Sequence, residues 1–290
     1  MSYVKISNTD KQKQIHFLIL FLMTIISGLV LYRSAIMSTI HAVLHREGSS
    51  HGVFVPFLSG YFFWMKREAI WNIKTRYDYS GIMLLVAGLF LGIADIGEYH
   101  LKFIGFIVFI SGLIALFLGR DFFKETAFPL FFLITMVPLP AETHLALADF
   151  VRNITLEGAI RIISIIGIPY FRGGITVQLP NALLKVDLSC SGIRYLFSFF
   201  VFGTAYVYLY RKSNLSRLFI IALIFPISIA ASISRLTSIF LLTYLFGPKM
   251  AEYWPHVFIS WTVFFIVLIL CLASDQFFLA RKQEAKAAEI

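Results

Sequence analysis

The sequence predicts an all-α polytopic membrane protein of about eight transmembrane helices, carrying a small extracytoplasmic insertion of one helix and a β-hairpin. Three observations predict it. Hydrophobic residues fill 59% of the 290 positions and charged residues only 14%, with a mean hydropathy of +0.81, a balance that does not describe a water-soluble surface. Apolar stretches near 15–31, 51–65, 79–96, 103–118, 125–140, 190–210, 218–246 and 257–273 each approach the ~20 residues that cross a ~30 Å hydrocarbon core. Basic residues, finally, are shared unevenly between alternate loops. A soluble enzyme is excluded, and so is a porin, whose strands would alternate with period two. The net charge of +9 raises nucleic acid as a partner. In a polytopic chain, however, Lys and Arg gather in cytoplasmic loops and set orientation, so membrane lipids are expected as partners and nucleic acid is not.

Taken in order, the first span follows a basic leader with Lys5, Lys11 and Lys13. It runs on to Tyr32 and Arg33 without a small-residue cleavage pattern, so it reads as an uncleaved anchor. His41, His45 and His51 share the first outer loop. Their spacing of four and six, without Cys or a helical carboxylate partner, suits solvated or interfacial histidines better than metal ligands. The spans at 51–65 and 125–140 are short and contain Pro56, Pro129, Pro138 and Pro140, which leaves room for a re-entrant segment. With the N-terminus inside, fifteen basic residues, among them Lys66, Arg67, Arg76, Arg211 and Lys282, fall in cytoplasmic segments and eight fall outside, with Arg194 and Arg235 inside spans. Both termini are therefore expected in the cytoplasm, in one integral membrane domain over 1–290 that ends in a cytoplasmic tail at 274–290.

The long outer insertion, 141–189, has two textures. Residues 143–168 read as a helix near the outer interface, in which Asp149, Arg152, Asn153, Glu157 and Arg161 interrupt an apolar surface at spacings of three and four. Gly173-Gly174 is expected to break that helix. Ile175, Val177 and Leu179 then alternate, Pro180-Asn181 offers a turn, and 183–188 returns as a second strand. Such a hairpin ends where the sixth span begins.

The chain shows no internal repeat, no Gly-rich phosphate loop, and no HExxH or clustered Cys/His pattern, so neither metal nor cofactor is expected. Its chemistry must come from side chains at span ends. The two cysteines lie at opposite ends of their spans, most of a ~30 Å core apart, and cannot form a disulfide with each other. Cys271 has apolar neighbours and reads as packing. Cys190 follows Asp187-Leu188-Ser189 at the outer start of the sixth span; placed in the first turn of a helix, with Arg194 one turn on, it would have its thiolate favoured. Arg235 is a charge at membrane depth, which marks function by default. Eighteen residues separate it from Arg217 at the cytoplasmic end, putting it roughly 27 Å higher, level with Cys190. Ser232, Ser234, Thr237 and Ser238 give it a polar face. His256 opens the last span after Tyr253-Trp254-Pro255 and can exchange protons near neutrality. A possible nucleophile, a fixed cation and an acid/base thus fall at one depth.

These residues carry a resemblance. CSGIR at 190–194, an arginine in the next span within SISRLTSIF, and a histidine in PHVFISW resemble the exosortase/archaeosortase family of membrane cysteine transpeptidases. HGVFVPFLSGYFFWMKR at 51–67 and FPLFFLITMVPLP at 128–140 agree with two further family spans. One position departs: where the family usually carries Asn three residues before the arginine, this chain has Ser232. The resemblance implies a thiol protease or transpeptidase of the prokaryotic cytoplasmic membrane, with its active site extracytoplasmic and a catalytic segment at 190–265. Its partners would be secreted proteins bearing a C-terminal sorting signal made of a motif, a transmembrane helix and a basic tail. Cys190 would attack the scissile carbonyl to form a thioacyl intermediate, Arg235 would stabilise the oxyanion, and His256 would protonate the leaving amine. Arg194, Asp187 and Ser232 would support this triad; the hairpin at 173–189 reads equally as a substrate-binding edge, by strand addition, and as a lid that only shields the site. The residues alone leave two other readings open: a transporter or flippase binding an anion through Arg194 and Arg235, and a lipid or glycan transferase using His256 as base.

The charge split gives a direct test of orientation. In a Cys271→Ala background, a membrane-impermeant maleimide should modify position 190 from outside the cell; modification from the cytoplasmic side alone would reverse the topology.

Overall fold

Apolar chain in a low-dielectric surrounding must satisfy its own backbone groups, and helices do so within one segment. The structure is a computed structural model that describes residues 8–46, 48–93, 99–188, 191–211, 213–251, 257–267 and 269, with side chains described from Ile19 onward. The chain forms two compact units, Met1–Pro140 and Ala141–Ile290.

The first unit is helical throughout. Helices α1 (Asn8–Leu31) and α2 (Arg33–His45) meet at Tyr32 with a bend of 59°. A 3-10 turn, Ser50–Val53, leads into α3 (Phe54–Met65) and the short α4 (Arg67–Trp71). Then come α5 (Ser80–Ile93), α6 (Tyr99–Leu118) and α7 (Arg120–Phe132), which ends in a 3-10 turn, Leu133–Met136. Helices α5 and α6 lie against each other through glycines seven apart: Gly81 and Gly88 on one, Gly105 and Gly112 on the other. A Cβ at Gly88 would stand 2.6 Å from the Phe109 backbone nitrogen. Close approach of this kind is how helices associate where lipid removes the hydrophobic drive. Tyr32 closes the joint by donating to the Gly88 carbonyl at 2.6 Å.

The second unit holds α8 (Ala141–Ile166), three short strands, α9 (Ile193–Tyr210) and α10 (Asn214–Phe246), followed by α11 (Val257–Val267). Gly167, at a φ of +87°, stops α8: its amide bonds the Ser164 carbonyl and the Ile168 amide bonds the Ile163 carbonyl, both at 3.0 Å, the paired capping bonds of a left-handed helix end. The helix therefore breaks at Gly167 and not at the expected Gly173-Gly174. Gly173 instead ends β1 (Phe171–Gly173) and Gly174 turns the chain into β2 (Thr176–Leu179), and β3 (Ala182–Lys185) completes an antiparallel sheet of order β1-β2-β3. The expected hairpin is present with its turn at Pro180-Asn181, joined by one more strand.

The sheet is anchored on one face. Val177 and Leu179 are fully buried with Leu156, Ala159, Ile160 and Ile163 of α8 and with Leu236 and Phe240 of α10. On the same inner face Arg172 reaches Glu157 of α8 at 2.7 Å, while Arg161 reaches the other carboxylate oxygen at 3.3 Å. At the turn, Asn181 donates to the carbonyls of Thr243 and Tyr244, at 2.9 and 3.1 Å, satisfying acceptors that the last turn of α10 leaves open.

The count of eight spans is not recovered. Among the described residues three helices, α6, α9 and α10, are long and apolar enough to cross a membrane, or up to five spans result if each of two helix pairs joined across a short break is one. The stretch at 51–65 divides into a 3-10 turn and a 12-residue helix, and that at 79–96 contributes a 14-residue helix, both short of the ~20 residues a straight span needs. Large apolar side chains face outward on several helices, among them Phe57, Met83 and Leu215, each at least 75% exposed. Such surfaces are suited to lipid and not to water.

The sheet's attachment predicts a measurable cost. Leu179→Ala should destabilise the detergent-solubilised protein by about 2–5 kcal/mol, read as a lowered Tm, whereas Leu183→Ala, at a residue 65% exposed, should leave Tm nearly unchanged.

Candidate active site

Arg235 lies on the buried face of α10 and is only 5% exposed. That face is lined by small hydroxyls at helical spacing: Ser228 donates to the Ile224 carbonyl at 2.7 Å and Ser232 to the Ser228 carbonyl at 2.8 Å. These bonds turn the hydroxyls back onto their own helix and leave a slot beside it. The Arg235 guanidinium carbon sits 5.4 Å from the centre of the Tyr195 ring, on α9, a cation–π distance. Its Nη1 donates to Ser260 Oγ on α11 at 3.4 Å. The Tyr195 hydroxyl donates to the Ser260 carbonyl at 2.6 Å, so one residue of α11 receives both side chains. Tyr195 and Phe199 stack with Phe264 of α11 below this cluster.

The turn before α9 is held equally closely. Gly192 has a φ of +81°, a conformation open to glycine and strained for other residues. A Cβ there would collide with both Oγ and Cβ of Ser232. Glycine on the turn and a small side chain on α10 are therefore complementary, which gives the serine at 232 a physical reason. Ser191 is fully buried; its carbonyl accepts from Thr155 Oγ1 of α8 at 3.5 Å, and its hydroxyl accepts from the Ile193 amide at 3.3 Å. Helices α8 and α10 thus both grip the chain just ahead of α9.

Of the expected triad, Arg235 is placed as described, whereas Cys190 and His256 lie outside the described residues. The supporting residues divide. Ser232 packs against the turn. Arg194 is the second residue of α9 and exposed. Helix α9 begins at Ile193, after the left-handed Gly192; the expected stacking of Arg194 on Cys190 involves a residue outside the described ones. Asp187 is exposed and pairs with Lys185 at 3.4 Å. Tyr195, Ser260 and Thr155 were not legible as site residues. Tyr195 directly follows CSGIR and Ser260 comes four residues after position 256, which are faint signals; Thr155 had none. Among the described residues no group of three or more His, Cys, Asp or Glu could hold a metal ion.

The contact between Gly192 and Ser232 is testable by a double-mutant cycle. Gly192→Ala should lower Tm, with roughly 1–2 kcal/mol from the backbone alone. Ser232→Gly should be less harmful in that background than in the parent protein, because it removes the collision; independent effects would show that the two residues do not touch.

Compared with known proteins, the chain has no match among curated proteins or solved structures. A family model described as transmembrane exosortase matches residues 43–273. That match runs from the last turn of α2 to beyond α11 and takes in the gripped turn, Arg235 and position 256, and by it this helical membrane protein belongs to the transmembrane exosortase family.

Proposed function

We propose that this exosortase-family protein is a cysteine transpeptidase or peptidase that cleaves C-terminal sorting signals of secreted proteins at the outer face of the cytoplasmic membrane. One observation carries the reading. Gly192, two residues after Cys190, presses on Ser232, less than one turn before Arg235, and Ser260, four residues after His256, receives the Arg235 guanidinium. Three chain-distant segments, each bearing one member of the candidate triad, converge on one turn of α10.

In this reading the Cys190 thiolate attacks the scissile carbonyl. The carbonyl π electrons move to oxygen, and Arg235 N–H groups stabilise the oxyanion. Collapse of the tetrahedral species breaks the C–N bond, and His256 protonates the departing amine. The acyl group, now a thioester on Cys190, is attacked by an acceptor whose proton His256 takes, and the thiolate is released. An amine acceptor makes the reaction transpeptidation; water makes it hydrolysis. Arg235 suits this role because Tyr195 and Ser260 hold its plane, and a fixed donor needs no reorganisation when charge develops. The substrate would be held extended. The outer edge of β3 has no strand partner among the described residues, and a peptide added there would lie along the segment that continues to Ser189 and Cys190.

Co-expression with a secreted protein bearing a tripartite C-terminal tail tests this. Cys190→Ala should abolish processing and Cys271→Ala should preserve it. Arg235→Lys should slow processing roughly a hundredfold, since a point charge does not reproduce a planar fork of donors. Processing that persists in Cys190→Ala, in cells free of other proteases, would defeat the proposal.

A further inference from the structure

A second cluster of polar groups lies in the first unit. Where α2 ends, a cavity of about 660 Å³ opens between Met37, Ser38, His41, His45 and Arg46 and the first residue of α6, Tyr99. Its size suits a small organic ligand. His41 and His45 stand one turn apart, with ring centres separated by 4.5 Å. Arg46 donates through Nη1 to the Leu139 carbonyl at 2.9 Å. Among the described residues its other N–H groups, both imidazoles, and the hydroxyls of Ser38 and Tyr99 have no hydrogen-bond partner in the protein.

The sign of the ligand follows from the lining. Among the described residues the lining carries a guanidinium that is always charged, two imidazoles and two hydroxyls, all able to donate to an anion. Two histidines four apart on a helix suit a divalent metal, but among the described residues no third ligand joins them, and the Arg46 charge opposes a cation. The negative end of α2 accounts for basic groups at 45 and 46; it does not account for His41 and Tyr99 facing the same space. A phosphate group answers the whole set: its oxygens accept from a guanidinium fork, imidazole N–H groups and hydroxyls together. Met37, Ile40 and Leu44, all on α2, are 63%, 42% and 61% exposed, so the cavity adjoins an apolar flank.

We propose that this cavity binds a phosphate-bearing anion through Arg46, His41 and His45. The site is independent of the transpeptidase reading, and its test reads binding alone. The full-length protein in a neutral detergent is titrated with dioctanoyl phosphatidylglycerol, glycerol phosphate and inorganic phosphate, with uncharged dioctanoylglycerol and Zn²⁺ as contrasts. The phosphate compounds should bind and dioctanoylglycerol should not. His41→Gln/His45→Gln and, separately, Arg46→Gln should each weaken binding by about tenfold or more, as expected for lost hydrogen bonds to a charged group. Because Arg46 also bonds Leu139, the histidine pair, which is exposed, keeps the test valid if Arg46→Gln fails to fold. Binding of the phospholipid alone assigns the site to a lipid headgroup, and binding of the small phosphates as well assigns it to the phosphate itself; both support the proposal. Equal binding of the uncharged lipid, phosphate binding that ignores the histidine substitutions, or Zn²⁺ binding that alone depends on them would overturn it.

Discussion

A guanidinium withdrawn from water inside a helical unit is unfavourable by several kcal/mol until its surroundings offset the loss of hydration. Arg235 meets that constraint with an aromatic face, a hydroxyl and a helix surface of small residues. Much of the second unit follows from it. A large side chain at 232 would fill the slot in which Gly192 lies. Tyr195 must be aromatic to face the cation, and its hydroxyl holds Ser260, so that α9, α10 and α11 are tied at one level. The apolar stack of Tyr195, Phe199 and Phe264 begins directly below.

A small sheet on a bundle of apolar helices is unusual, because three strands of three or four residues do not stabilise themselves. Here the sheet borrows its core from α8 and α10. Val177 and Leu179 supply the buried face, the Arg172–Glu157 pair closes one side, and Asn181 fixes the turn to the end of α10. The strands and the gripped turn before α9 consequently share the same two supporting helices. A displacement of α8 against α10 would reach both. Their close packing resists it: a Cβ at Gly158 would stand 2.5 Å from Ile233.

Much of this was legible where a local pattern reports directly on structure. The charges at spacings of three and four located α8, the alternation of Val177 and Leu179 located β2, and the Pro180-Asn181 pair located the turn. Arg235 stood out because an ionised side chain in an apolar run is rare. Elsewhere the pattern was silent or misleading. Strand β1, Phe171-Arg172-Gly173, is too short to alternate. Gly192 fell in the first turn of the helix expected from position 190, and neither its left-handed conformation nor its packing against a neighbour forty residues away shows in the local pattern. The span count is not confirmed for a related reason: hydropathy measures how apolar a stretch is and does not register the turns that divide it. Tyr195 and Ser260 meet only in three dimensions.

The length of α10 has a consequence for how the protein senses its surroundings. At ~1.5 Å per residue, its 33 residues extend about 50 Å, well beyond a ~30 Å hydrocarbon core. The excess must be taken up by tilt, by bending at Pro226 or by projection into the interface. Projection at the far end already has a partner, since Asn181 binds the carbonyls there. The same rod carries Arg235, so a thicker or thinner bilayer that changes its tilt also moves the cation relative to the headgroups, making lipid chain length a physical variable of the site.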